Sequence, residues 1–483
     1  MVTLKELIRI DKYEWEIPKK HHKDMRVPVR IFASQRIIED TLHDRSFDQA
    51  INVAMLPGLV GSVAVMPDVH QGYGFPIGGV AASDAEEGII SPGAIGYDIN
   101  CGVRLMSSHI SFEEAKPFLT QLNISLFQSC PSGVGKSGVL QLNRRQLEKI
   151  CHSGSRWALE NGYVTQNDLD CTEDGGCIEG ADPSFVSARA MERGLGQVGS
   201  LGAGNHFIEI SVVDEVVDMK AAQTFNLEEG KICLMVHSGS RGFGHQICTD
   251  YVRDFQRVSQ KYQIKLPDRE LVSAPLSSPE GKAYLSAMRC AANYAFCNRQ
   301  LLADTVRKVF EQKFTGKVSN PHLQLVYDLA HNMGKIETHS IAGKEMQVCV
   351  HRKGATRAFA ANHPDVPKKY QSVGQPVLVP GSMGTASWVL VGTPTGMEKS
   401  FGSCCHGAGR VFSRKQARRE VRGEELIQRL DKRGIHVMAG SKRSLPEEAP
   451  EAYKDVDEVV ASVVGAGLAR RVARLRPLAV IKG

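Results

Sequence analysis

Residues 54–104 read AMLPGLVGSVAVMPDVHQGYGFPIGGVAASDAEEGIISPGAIGYDINCGVR. Short apolar runs alternate with glycine-containing loops. That pattern predicts buried strands joined by tight turns. The loops are chemically loaded as well: Asp68, His70, Asp98 and Cys101 all lie within four residues of a glycine. Glycine lets a backbone approach a ligand closely, so such loops suggest walls of a site.

Outward from this stretch the pattern changes several times. Residues 1–50 form an opening segment with a Pro-bounded stretch at 26–31 and a short helix around 36–40. Residues 111–165 look mainly helical, interrupted by the PSG loop at 131–133, and 170–183 form a polar, Gly-rich loop. Glycine loops and strands return over 195–245. Residues 283–312 are rich in helix formers and predict one long helix. Strand and loop character resumes over 347–409, and the tail from residue 415 is basic and largely helical. There is no repeat, low-complexity linker or break in composition, and the candidate reactive residues run from position 68 to 482. This favours one interwoven α+β domain spanning 1–483 over two modules.

The composition is that of a soluble globular chain: 483 residues, 42% hydrophobic and 23% charged, with a mean hydropathy of −0.21. A net charge of +6 is compatible with a polyanionic partner without requiring one. Two basic runs, SRKQARREVR (413–422) and LARRVARLR (468–476), read most plainly as solvated helix faces. The N-terminus has no apolar signal-peptide core and no run is long enough to span a bilayer. Twelve cysteines in so long a chain make no dense disulfide framework, so a reduced, cytoplasmic protein is expected.

One motif is a decoy. CPSGVGKS (130–137) nearly matches the phosphate-binding G-x-x-x-x-G-K-[ST] loop. Its first position is Cys130 instead of Gly, and Pro131 stiffens a loop that would have to wrap around phosphates.

Six segments pair metal-ligand residue types with small neighbours: MPDVHQG (66–72), GYDINCGVR (96–104), GNHFIE (204–209), VHSGSRG (236–242), AHN (330–332) and CHGAGR (405–410). Any one alone reads as a hydrogen-bonded loop histidine; six together point to a site. Asp98 and Cys101 are three apart, so one loop can present both, and a thiolate can bridge two metals. Imidazoles with one carboxylate and one thiolate suit Mn, Fe, Co or Zn better than Mg or Ca. Structural zinc uses tightly spaced Cys and His pairs, whereas these ligands are dispersed, as in a catalytic site assembled by the fold. Arg104, Arg241 and Arg410 lie in the same segments, where guanidinium forks suit phosphate oxygens or, equally, internal salt bridges. Metals, arginines and exposed glycine backbone together indicate phosphoryl chemistry. A phosphohydrolase or nuclease, and a non-catalytic RNA-binding subunit, remain the rival classes.

These six segments, with HRKGATRAF (351–359), PGSMGTASW (380–388) and the terminal IKG (481–483), closely resemble the RtcB family of RNA-splicing ligases. The resemblance runs from about residue 10 to the C-terminus. It implies β-sheets packed together with surrounding helices, a dinuclear metal site in a central cleft, and a ligase that uses GTP and Mn²⁺. Such an enzyme joins RNA 3′-phosphate or 2′,3′-cyclic phosphate ends to 5′-hydroxyl ends, in tRNA splicing and RNA repair. It does so through a histidine–GMP intermediate and an RNA-3′-pp-5′-G intermediate. The resemblance makes His406 the guanylated residue. It assigns Asp98, Cys101 and His206 to one metal and Cys101, His237 and His331 to the other.

Nucleotide contacts carry over to Asn205, His206, Phe207, Ile208, Glu209, His331, Asn332, Pro380, Gly381, Ser382, Met383, Ser387, His406, Gly407, Ala408, Gly409 and Lys482. Arg241 and Arg410 are candidates for RNA or nucleotide phosphate. Partners would be tRNA exon halves or broken RNA ends, with the need for an archease-type activating protein left open. Asp68 and His70 lie in a family motif with no role assigned. Cys404 and Cys405 read as packing residues, and Cys171 and Cys177, around CTEDGGC, as free thiols.

Overall fold

The computed structural model describes residues 2–133 and 135–483. Two large sheets form its framework. The first has seven strands in the order Ile8–Asp11, Glu14–Ile17, Val29–Phe32, Leu59–His70, Ile77–Asp84, Lys344–Lys353 and Asn332–Ile341. The second runs Gln324–Ala330, Gly102–Ser111, Lys231–Ser238, Phe207–Val216, Ala469–Lys482, Ser387–Gly392 and Pro376–Val379, with His436–Ala439 added in parallel to Ala469–Lys482. Most pairings are antiparallel; Val29–Phe32 with Leu59–His70 is the parallel exception in the first sheet. The expected α+β architecture is therefore present, and the strands predicted over 54–104 lie in both sheets.

One of the crossings between the two sheets is a single residue. The chain leaves the second sheet at Ala330 and enters the first at Asn332, so His331 is the whole connection. Its backbone is fixed on both sides: its N–H donates to the Cys101 carbonyl at 2.9 Å, and its carbonyl accepts from Ala355.

The predicted long helix is observed as Pro279–Phe314. Ser278 caps it by accepting from the Gly281 N–H, and Pro279 occupies the first turn, where its missing N–H costs nothing. From Tyr284 to Ala303 nearly every side chain is buried, as expected of a helix apolar on most faces that threads a core. Its polar residues hold the loops above it. Asn298 donates to the carbonyls of Ser200 and Gly239, and Asn100 donates to the Ala292 carbonyl.

Several expectations are corrected. The run 468–476 is no helix face; it opens the central strand Ala469–Lys482, with Val472, Ala473 and Leu475 buried. Register shifts at Val389/Leu390 and Arg474/Leu475 break the two-residue alternation that would have marked it as a strand. Arg470 and Arg474 pair with Asp218 and Asp214. The other basic run does form a solvated helix, Arg414–Glu420, whose Arg414 and Arg418 face Glu447. The glycine-rich stretch near 240 begins a 21-residue helix, Arg241–Lys261, that glycine content disguised. Gly244 is needed there because a Cβ would come within 2.0 Å of Ser240 Oγ.

The CPSGVGKS segment follows the helix Leu119–Ser129 instead of a strand, so it lacks the strand–loop–helix setting of a phosphate loop; Val134 within it lies outside the described residues. The twelve cysteines are buried free thiols. No helix among the described residues is long and apolar enough to cross a membrane.

The loop 170–183 hides a charge cluster. Glu173 and Asp174 pair with Lys335, and Asp174 pairs with Arg357 at 3.0 Å. Arg104 takes the internal alternative considered for it: fully buried, it pairs with Asp328 at 2.7 Å. Asp328 also binds Arg299, equally buried, at 2.7 Å. Removing one partner of such a group strands charge in the core. Asp328→Ala is therefore expected to lower the free energy of unfolding by about 3–5 kcal/mol in denaturant titration, whereas a change at the exposed Arg253–Asp254 pair should cost under about 1 kcal/mol.

Candidate metal centre and active site

Antiparallel pairing places alternate strand starts and strand ends along one edge of a sheet. The second sheet uses one such edge to gather its donors. Cys101 immediately precedes Gly102–Ser111, His206 precedes Phe207–Val216, His237 lies near the end of Lys231–Ser238, and His331 follows Gln324–Ala330. The register aligns them: His237 sits opposite both Val103 and Phe207, and Phe207 opposite Lys482. Residues more than two hundred positions apart are thus neighbours in space.

Asp98 and Cys101 are presented by a tight loop in which Asn100 takes a left-handed φ of 51°, a conformation asparagine tolerates. Arg299 clamps this loop. Its guanidinium donates to the Asn100 carbonyl at 2.7 Å, to Asn100 Oδ1 at 3.0 Å and to the Ser238 carbonyl at 3.1 Å. Asn332 adds a second tie, donating to the Asp98 carbonyl while accepting from the Gly354 N–H.

Two triads result, Asp98–Cys101–His206 and Cys101–His237–His331, with the ligand atoms of each within 4.8 Å of one another. Cys101 Sγ lies 3.3 Å from the Nε2 atoms of both His206 and His237, and His237 Nε2 lies 3.4 Å from His331 Nε2. So many lone pairs converging in a buried space cannot all be satisfied by protons, and a divalent cation in each triad fits this donor set. Gly202 and Gly239 keep the space open: a Cβ would come within 2.0 Å of His206 Nδ1 at the first and 2.4 Å of Asp98 Oδ1 at the second.

Electrostatics agree. Burial holds His237 and His331 well below the ordinary imidazole range, so both rings are neutral at neutral pH, as metal binding would require. Burial pushes the Cys101 thiol up, a tendency that a bound cation would reverse. Burial is the largest single effect on Asp98 and would raise it, but the hydrogen bond and charge of His206, with the Cys101 hydrogen bond and the Arg241 charge, together outweigh this and keep it below the usual carboxylate range.

His406 comes from the other sheet's side, just beyond the short strand Ser403–Cys405, which pairs with Ala355–Arg357. Its ring centroid is 4.9 Å from that of His331. Its backbone N–H and ring Nδ1 both meet Asp68 Oδ2, at 3.0 and 2.6 Å. Among the described residues nothing hydrogen-bonds Nε2, which leaves its lone pair unused when Nδ1 carries the proton. Asp68, which the sequence left without a role, thus orients this ring. His70 Nδ1 bonds back to the Asp68 carbonyl, and burial holds it down to about 3. Cys404 and Cys405, behind the histidine, are packed thiols with sulfurs 3.9 Å apart.

The expected nucleotide contacts gather beside this histidine. Gly407 faces the Pro380 carbonyl, and Gly381 N–H donates to Ser387 Oγ at 3.2 Å. Gly409, at φ +74, packs on the Asp68 backbone. Lys482, far from being a frayed end, is buried in the sheet, pairs with Glu448 at 3.2 Å and lies 5.2 Å over the Phe207 ring. Glu209 shares this corner, where burial pushes its carboxyl up to about 7 against the opposing effects of Ser211, Lys482 and Ser387. Asn205 is partly exposed at the rim. Ile208, Met383 and Ala408 have buried side chains.

The two arginines diverge. Arg241 stands beside the first triad, donating to Ser200 Oγ and to the Gly133 carbonyl. Arg410 is turned inward, onto Tyr453, Glu448 and the Glu447 carbonyl. The residues that the sequence does not mark are the holders: Arg299, Asp328, Asn298 and Glu448. None has a glycine neighbour to flag it.

Residues 49–483 match the family model described as tRNA-splicing ligase RtcB. The chain is 53% identical over 483 residues, covering all of this chain and 99% of the relative, to the tRNA-splicing ligase RtcB of Thermococcus kodakarensis. It is 50% identical over 477 residues, 99% of each chain, to that of Archaeoglobus fulgidus. The RNA-splicing ligase RtcB of Mycobacterium tuberculosis is 51% identical over 438 residues, 90% of this chain and all of the relative. With its site geometry and these likenesses together, this chain belongs to the RtcB family.

Proposed function

We propose that this protein is a GTP- and Mn²⁺-dependent RNA ligase, one catalytic domain over 1–483. It joins 3′-phosphate or 2′,3′-cyclic phosphate ends to 5′-hydroxyl ends in tRNA splicing and RNA repair in the cytoplasm. The observation that carries this reading is His406, oriented through Nδ1 by Asp68 at 2.6 Å and set 4.9 Å, ring to ring, from His331. A hydrolase would need the metal ligands but no such oriented nucleophile.

The chemistry follows from the positions. Mn²⁺ held by Asp98, Cys101 and His206, and by Cys101, His237 and His331, would supply positive charge against phosphate oxygens. His406 Nε2 attacks the α-phosphorus of GTP; an N–P bond forms as the bond to pyrophosphate breaks. Asp68 accepts the hydrogen bond from Nδ1–H and stabilises the charge that grows on the ring. The guanylate then passes to an oxygen of the RNA 3′-phosphate, restoring the imidazole. The 5′-hydroxyl attacks that RNA phosphorus, and GMP leaves. A cyclic phosphate is first opened by water.

Lys482 and Glu209 form the end of the nucleotide pocket, where an ionised Glu209 matches the two N–H donors on the edge of guanine. Ser387, Gly381 and Gly407 offer hydroxyl and backbone groups beside the histidine. Arg241 is the better placed of the two candidates for RNA phosphate. An archease-type protein is a candidate activator.

Incubation with Mn²⁺ and GTP labelled on the α-phosphate should leave acid-labile label on the wild type and none on His406→Ala. Absence of label from both, with phosphate-ester hydrolysis persisting, would overturn the ligase reading. Asp68→Asn should slow labelling at least about 100-fold while leaving the fold intact, measured by quenched time courses.

Glu209 gives a pH dependence. Because its carboxyl titrates near 7 and binding needs the ionised form, the Kd for GTP should rise as pH falls below 7, approaching tenfold per unit. Glu209→Gln should bind GTP weakly, with that slope absent.

A further inference from the structure

The ligase reading accounts for the phosphate chemistry but not for what holds the RNA strand beside it. A cluster of aromatic rings at the mouth of the site has no part in the scheme above. Tyr73 is 68% exposed, the most exposed large apolar side chain among the described residues. Its ring stands edge-to-face against Tyr97, with centroids 6.1 Å apart at 87°. Tyr97 in turn lies 5.1 Å from the ring of His245 at 32°, on the helix that Arg241 begins. Tyr97 is the residue before Asp98 of the first triad, and His245 is close enough to feel the Asp98 charge, so this row of rings stands near the candidate site.

A single exposed tyrosine is ordinary on a protein surface. What sets Tyr73 apart is the rigidity of its support. Lys353 Nζ, buried, donates to the Tyr73 carbonyl at 2.7 Å and to the Gly93 carbonyl at 2.9 Å. The Phe75 N–H also donates to the Tyr73 carbonyl. Gln49 holds Gly72 through both its backbone groups, at 2.8 and 3.1 Å. Gly74, at φ +68, packs so closely on Glu270 that a Cβ would come within 2.8 Å. A loop fixed this firmly presents an open ring face without the ordering cost that a mobile loop would incur on binding.

Proteins that bind unpaired RNA stack its bases on such rings, because every base has a flat face and stacking does not depend on sequence. We infer that Tyr73, with Tyr97 and His245 behind it, is a stacking platform for an unpaired nucleobase of the RNA strand whose end reaches the Cys101 cluster. This deepens the ligase reading and rests on it. It predicts tolerance of base identity, since the platform offers ring faces in place of a matched set of donors and acceptors.

The test measures kcat/KM for joining a single-stranded RNA with a 3′-phosphate, using the full-length protein with Mn²⁺ and GTP. Tyr73→Ala should lose about tenfold or more, while Tyr73→Phe and Tyr73→Trp stay close to wild type. Labelling of His406 by GTP without RNA should be the same in all four proteins. Substrates with one abasic nucleotide, scanned along the last positions of each end, should include one that costs the wild type the same factor and costs Tyr73→Ala nothing more.

Unchanged joining by Tyr73→Ala, or abasic losses that simply multiply with the mutation at every position, would overturn the platform. So would loss of His406 labelling in Tyr73→Ala, which would mean the loop merely supports the site. Failure of the wild type itself to take label would instead count against the ligase reading.

Discussion

Everything in this site hangs from one buried guanidinium. Arg299, fully inaccessible, binds the carboxylate of Asp328 with one side of its fork and the loop of Asn100 and the end of the Ser238 strand with the other. A buried ion pair contributes little net stability once desolvation is counted, and its removal in one piece can even stabilise a protein. Its value here is positional. Asp328 lies on the strand that ends at Ala330, one residue before His331; Asn100 precedes Cys101; Ser238 follows His237. The clamp therefore fixes three ligand-bearing segments against one another, and the long buried helix that carries Arg299 ties all of them to the core.

The second constraint is the sheet edge. A thiol, three imidazoles and a carboxylate drawn from positions 98 to 331 meet because antiparallel strands deliver them to the same edge in register. Asp68, from within a strand of the first sheet, and His406, from the loop after Ser403–Cys405 in the small two-stranded sheet, meet beside this edge. His331 joins the two sheets by a single-residue crossing, and its ring lies 4.9 Å from that of His406. That crossing brings the two candidate triads and His406 together.

Much of the site was legible in the sequence, and for a physical reason. Residues that could ligate a metal or face a phosphate need small neighbours, so glycine marks the candidates Asp98, Cys101, His206, His237 and His406 in the chain itself. The α+β class and the long helix were legible from periodicity and helix formers. Residues whose task is to hold other residues carry no such mark: Arg299 and Asn298 sit in a helical run, and Asp68's part depends on a contact with a residue 338 positions away. Basic runs misled in one case of two. Ala469–Lys482 looks like a charged helix face because register shifts disturb its alternation, and its arginines find acids on a neighbouring strand that sequence order does not reveal. Glycines at 242 and 244 hid a helix start for the same reason that they exist, close packing against Gln197, Arg193 and Ser240.

The proposed chemistry depends on Cys101 being shared, as a thiolate, by two metal positions beside His406. Crystals soaked in Mn²⁺ and measured near the manganese absorption edge would show this. Two anomalous peaks per chain are expected, one among Asp98, Cys101 and His206 and one among Cys101, His237 and His331, with Cys101 Sγ bonded to both. A single peak, or two peaks neither of which touches Cys101, would contradict it.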